Sequence, residues 1–231
     1  MPDARPLQAL QASHLKDDAY GAIRAALTDL TLPPGASISE NWLVAQLGIS
    51  KTPIRHALTR LEQEGLVRTV PFKGTFATPT RDEDARDLIE LRISLERLAA
   101  RRVASHATPE DLAHLRDLAN QGASAEVAGA HSDALRRIGD FHVELVRLSS
   151  NPWLVRTYEA LGGPLDRLRS ISGANEESIL ASTAEHCEVV DALESGDGDR
   201  AADILGRHIE RVLDLFVAST AEANALSGDG A

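Results

Sequence analysis

Three histidines, His142, His186 and His208, lie in the second half of this 231-residue chain, each among apolar residues at helical spacing. His142 shares a face with Ile138, Phe141 and Leu145, His186 with Val189, Val190 and Leu193, and His208 with Ile204, Leu205 and Val212. One such histidine alone is ordinarily a core residue held by a hydrogen bond. Three of them, on three helices of one domain, can face each other across a bundle. Facing imidazoles bind a divalent metal and leave positions open for a carboxylate ligand. Zn²⁺ or Ni²⁺ suits an all-imidazole set better than Mg²⁺ or Ca²⁺, which prefer oxygen. The other outcome is a metal-free pocket whose histidines hold an organic acid directly. Arg92, inside an otherwise apolar helix, is either a carboxylate anchor for such an effector or half of an ion pair with Glu96 one turn on. The lone Cys187 does not form a dyad with His186, because adjacent helical residues point about 100° apart.

A second group of residues suits nucleic acid. Ser50, Lys51, Thr52 and Arg55 cluster at the start of one predicted helix, and Lys73-Gly74 sits at the tip of a predicted hairpin. Small donors and cations so placed reach phosphates and base edges. The elements that would present them follow from the pattern. Leu43, Val44 and Leu47 form a short helix that stops at Gly48. Ser50 is expected to cap the next helix, Pro53 falls within its first turn, and Ile54, Ala57, Leu58 and Leu61 form its buried face. Gly65 closes it. Such a pair is a helix-turn-helix, whose second helix enters the major groove with its N-terminal residues. Leu66–Val70 and Thr75–Thr78 then read as a two-stranded wing that lays a basic finger along the adjacent minor groove. Leu15, Ala19, Ile23, Leu27 and Leu30 stripe a preceding helix, His14–Leu30.

Residues 13–78 resemble the winged-helix domain of the GntR family of bacterial transcription regulators. The resemblance rests on Pro33-Pro34-Gly35, Ser39-Glu40, Leu43, Leu47-Gly48-Ile49-Ser50, Pro53-Ile54-Arg55, Ala57-Leu58, Leu61, Gly65-Leu66 and Gly74. It implies that Ser39 and the residue following Glu40 also meet DNA. Where the family usually carries an arginine, this chain has Asn41, which should contribute less affinity.

The formal charge of −11 is unevenly spread. Residues 1–80 are net +1 and residues 81–231 net −12, and of only three lysines two are Lys51 and Lys73. A DNA-binding head on an acidic body reconciles the two. One cysteine excludes a disulfide framework and fits a reducing, cytoplasmic setting. No stretch is long and apolar enough for a membrane span, and the N-terminus lacks a signal-peptide run.

Residues 1–12 read as a flexible arm, 13–79 as the winged domain, 80–220 as a second, all-helical domain, and 221–231 as a frayed tail. In the second domain a capping box is expected at Thr80–Glu83 and a second helix start at Thr108-Pro109, with a loop between Asn120 and Ala130. Further helices are expected at about 132–149, 152–170, 178–195 and 199–220. This part resembles the FCD effector domain of the FadR-like subgroup. The matching residues are Leu88-Ile89-Glu90-Leu91-Arg92 with Glu96, Phe141-His142 with Asn151-Pro152, Glu185-His186 with Ala192–Asp197, and His208. The resemblance implies a metal held by three histidines and an aspartate one turn before the first. Here that position is Ile138, and Asp140 faces elsewhere.

These readings describe a metabolite-responsive regulator, most simply a repressor. The head binds a pseudo-palindromic operator, and the helical body forms a homodimer and senses a small carboxylate, with or without a metal. The competing class is a metal-dependent enzyme of the helical domain with an idle head, in which the three-histidine site activates water.

Overall fold

The computed structural model describes residues 12–172 and 175–228, and they form two compact units that divide at Pro79/Thr80. The first unit contains helix α1 (Ala12–Thr28), strand β1 (Ser37–Ile38), α2 (Glu40–Leu47), α3 (Lys51–Gln63) and the hairpin β2 (Val67–Val70) and β3 (Gly74–Ala77). Its core is Ile23, Leu27, Ile54, Leu61 and Leu66 with their neighbours. The sheet has three strands, in the order β1-β3-β2, rather than the two expected. The two-residue β1, paired as Ser37↔Phe76 and Ile38↔Thr75, is too short to carry an alternating pattern.

Caps set the turn between α2 and α3. Ser39 caps α2, its Oγ accepting from the Trp42 N–H at 3.3 Å, and Gly48 ends that helix in the left-handed region at φ 66°. Ser50 occupies the N-cap position of α3, but contrary to expectation its hydroxyl bonds no backbone N–H. The reason lies in Pro53: it fills the N3 position, whose N–H is one of the two a cap accepts from, and proline has none. Gly65 closes α3 at φ 74°, with Gly65 N–H on the Glu62 carbonyl and Leu66 N–H on the Leu61 carbonyl, a Schellman motif.

Among its described residues, the regular elements of the second unit are all helices: α4 (Asp82–His106), α5 (Pro109–Val127), α6 (His131–Leu148), α7 (Pro152–Ile171), α8 (Glu176–Glu194) and α9 (Gly198–Gly228). Phe141, Leu145, Val189, Val190, Leu193, Leu205 and Ile209 lie in its core. The box at Thr80 does not form. Arg81 takes the N-cap position without a side-chain cap and pairs with Asp84 instead, while Asp82, Glu83 and Asp84 meet the positive end of the helix. At Thr108 the box is complete, with Pro109 following.

The loop expected at 120–130 is mostly helix, because α5 continues to Val127. Gly122 there serves close packing: a Cβ on it would stand 3.1 Å from Ile138 and 3.2 Å from Thr183. Likewise α9 runs to Gly228, beyond residue 221 where a frayed tail was expected; residues 229–231 lie outside the described residues. The arm expected at 1–12 also lies outside them, apart from Ala12.

Candidate functional site

Helices α6, α8 and α9 bring His142, His186 and His208 to one point inside the second unit. Each ring is 1% exposed. The three Nε2 atoms stand 3.1 Å (His142–His186), 3.3 Å (His186–His208) and 3.3 Å (His142–His208) apart. At a metal–nitrogen distance of about 2.1 Å, tetrahedral ligands lie about 3.4 Å apart and neighbouring octahedral ones about 3.0 Å. The observed spacing falls between these values. Phe141 stacks on His186 at 4.0 Å between centroids and fixes that ring's plane.

The other ring nitrogens explain why the point of convergence suits a cation. His142 Nδ1 lies 2.7 Å from Glu96 Oε2, and His208 Nδ1 lies 2.6 Å from Glu185 Oε2. Burial opposes the charge on Glu96, but Arg92 outweighs it and holds the carboxyl far below the usual range. Burial likewise opposes Glu185, and its bonds to His208 and Arg211 bring it down to about 2. Burial lowers all three histidines, His142 to about 3. At neutral pH the carboxylates are therefore charged and the rings neutral. A neutral imidazole has one N–H, and in His142 and His208 it donates from Nδ1 to the carboxylate. Their Nε2 lone pairs then face each other at 3.3 Å with no hydrogen between them. A cation would relieve that repulsion, so the donor set fits a divalent transition metal.

Beside the histidines is a cavity of about 30 Å³, room for roughly one water molecule. Arg92, Arg169, Ser172, Ser178 and Ser182 supply its polar lining, and Leu135, Ile138, Ile179, Val212 and Leu215 its apolar lining. Arg92 is buried with Nε 2.7 Å from Glu96 Oε1, so the ion pair is present, and it also lines the cavity. Tyr158 donates to the same Glu96 oxygen at 2.7 Å. Arg169 reaches the cavity past Gly139, where a Cβ would come within 2.8 Å of its Nη1. Ile138 is 8% exposed and part of the wall, whereas Asp140 turns outward to Arg136.

In the first unit, Ser39, Asn41, Ser50, Lys51, Thr52, Arg55, Lys73 and Gly74 are all exposed. Arg55 is held by Glu40, its Nε 3.0 Å from both carboxylate oxygens. A family model described as "Bacterial regulatory proteins, gntR family" matches residues 15–77. A second, described as "FCD domain", matches residues 87–211, more than half of the chain. The chain belongs to the GntR family. The Nta operon transcriptional regulator of Aminobacter aminovorans is 35% identical over 185 residues, which are 80% of this chain and 86% of that protein. An HTH-type transcriptional regulator from an unstable DNA locus of Streptomyces ambofaciens is 35% identical over 208 residues, covering 85% and 83%. Among solved structures, E. coli McbR/YncC superposes with a TM-score of 0.78 over 89% of this chain and 98% of that one; at 21% identity this likeness bears on the fold alone.

This GntR-family protein is thus a transcriptional regulator with a DNA-binding head and an FCD domain. The enzyme alternative falls, since both family models and the relatives above are of regulators. No helix among the described residues is long and apolar enough to cross a membrane. Within the FCD domain, sequence reasoning counted Glu185 among the landmarks but gave it no role, missed Arg211, Arg169 and Tyr158, and paired Glu96 with Arg92 but not with His142. One signal was available: an arginine and a glutamate one turn apart on a buried helix face leave acceptor positions that a third polar group must fill.

Proposed function

We propose that this GntR regulator is an effector-responsive repressor whose FCD domain holds one divalent transition metal, Zn²⁺ or Ni²⁺, on His142, His186 and His208. The observation that carries the reading is the convergence of three Nε2 atoms at 3.1–3.3 Å, with the Nδ1 atoms of two rings held by carboxylates. When bound, the metal would supply a positive centre to which an anionic ligand can bind directly. Because Ile138 stands where the family has an aspartate, less protein charge offsets that centre. A small carboxylate effector is therefore favoured, oriented by Arg169 and the Ser178 and Ser182 hydroxyls, with Arg92 and Glu96 keeping His142 in place.

In the GntR head, Arg55 is proposed to reach a base edge or phosphate. Ser39, Asn41, Ser50, Lys51 and Thr52 support it at the recognition-helix end, and Lys73 and Gly74 do so on the wing. One such head reads few base pairs, so a homodimer on a pseudo-palindromic operator follows. Effector binding then lowers operator affinity by a coupling free energy of about 1–3 kcal/mol. Elemental analysis tests the metal: wild-type protein purified without added metal should carry a transition ion that His186→Ala abolishes. Wild-type protein that takes up neither Zn²⁺ nor Ni²⁺ on titration would end the metal reading and leave a pocket of histidines acting alone.

A further inference from the structure

The tip of the wing carries a residue that nothing above explains. Val70, Pro71, Phe72 and Lys73 form a turn closed by the Lys73 N–H on the Val70 carbonyl at 3.0 Å. Proline at its second position cannot take a positive φ, whereas Phe72 at the third has φ 63°. That is the type II arrangement, and its third position is ordinarily filled by glycine or asparagine, which take positive φ without strain. Here the position holds a bulky aromatic with 108% relative exposure, its ring resting on nothing in the protein. Backbone strain and an exposed aromatic ring therefore coincide on one residue. Either alone favours replacement, and neither helps the fold.

The surroundings point to what the ring meets. From Leu66 to Ala77 the wing carries Arg68 and Lys73 and no acidic residue, in a chain of net charge −11. Both cations are exposed, and Lys73 follows Phe72 directly in the chain. An exposed apolar ring flanked in sequence by cations, at the tip of a hairpin, matches a duplex: phosphates for the cations, and sugar edges or an opened base step for the ring. We propose that Phe72 is an apolar wedge that the wing inserts into the DNA minor groove, partly unstacking the step it meets. The inference rests on the DNA-binding reading of the head and adds to it a contact that is independent of charge.

Salt dependence separates the two kinds of contact. The full-length protein would be titrated, over a series of salt concentrations, with a labelled duplex that it has itself recovered from a random pool. Phe72→Ala and Phe72→Gly should each weaken binding on the order of tenfold, as for loss of one aromatic stacking contact, while leaving the slope of log affinity against log salt unchanged. Lys73→Ala should instead flatten that slope by about one. Phe72→Gly should also melt no lower than wild type, because glycine relieves the positive φ, so its weaker binding cannot come from misfolding. An aminopurine placed in the contacted step should brighten with wild type and not with Phe72→Ala. Wild-type affinity in both Phe72 variants would overturn the wedge and assign the ring to a protein partner, with the rest of the DNA reading intact. Failure of the wild type to recover any duplex would overturn both.

Discussion

The carboxylates behind the histidines are testable one residue at a time. Glu185 is partly exposed and also bonded to Arg211, so Glu185→Gln should leave the fold intact. It removes the anion that keeps the His208 proton on Nδ1. Zinc affinity, measured by competition with a chelator, should fall about 10- to 100-fold. Glu96→Gln should behave differently. Glu96 is fully buried with Arg92, and its replacement leaves a buried guanidinium without its counter-charge. Denaturant unfolding should report a loss of about 3–5 kcal/mol. Equal stability in the two variants would show that the Arg92–Glu96 pair is not what holds His142. The histidines were legible in the sequence because each lies on its own helix's apolar stripe, a local property. Glu185 was not: its partner His208 comes from another helix, and only the tertiary fold brings the two together. Ser50 was misread for a different reason, since its expected acceptor role needs an N–H that Pro53 lacks.

At the scale of elements, the helix starts decide local stability. Thr108 and Asp111 cap α5 reciprocally, Thr108 Oγ1 accepting from the Asp111 N–H at 3.2 Å and Asp111 Oδ2 from the Thr108 N–H at 3.0 Å. Thr108→Ala should cost about 1 kcal/mol by thermal or denaturant unfolding. The Asp111 carboxyl is lowered, first by the backbone N–H of Thr108 and then by its hydroxyl. A group with a depressed folded pKa contributes stability above its unfolded value, and that contribution disappears as pH falls through the folded value. The wild type and Thr108→Ala should therefore differ less in acid than at neutral pH. Near the same end of the bundle, α9 begins hard against the last turns of α4: a Cβ on Gly198 would stand 2.9 Å from the Arg101 Cα. Backbone cannot yield as a side chain can, so Gly198→Ala should destabilise by about 1–3 kcal/mol. The long reach of α5 was not legible, because Gly122, Ala123 and Ser124 have loop composition. The smallness of Gly122 is set by the Ile138 and Thr183 side chains that lie against it, which sequence periodicity does not reveal.

For the whole molecule, the two units differ in what stabilises them. The GntR head is held by its apolar core, its helix caps and ion pairs such as Arg55–Glu40, whereas the FCD domain also has the proposed metal site, which a ligand would saturate. Zinc at about a hundred times its dissociation constant should add about 2.7 kcal/mol to FCD stability. Calorimetry of the full chain should show that gain in the FCD transition alone, and none in His186→Ala. A gain shared by the head would mean that the two units unfold as one. The two-unit division and the charge contrast between head and body were both visible in the sequence, since Pro79 and the shift from +1 to −12 mark them.

The cavity beside the histidines has a consequence in time as well as in space. At about 30 Å³ it has room for little more than one water molecule, so the proposed effector would enter only as the side chains of its wall move apart. Encounter is then not the slow event; opening is. The observed rate of effector uptake in stopped flow should rise with concentration at first and then level off at the rate at which Ile138, Ile179 and Leu215 part. Ile138→Ala, which thins the wall without touching a histidine, should raise that plateau.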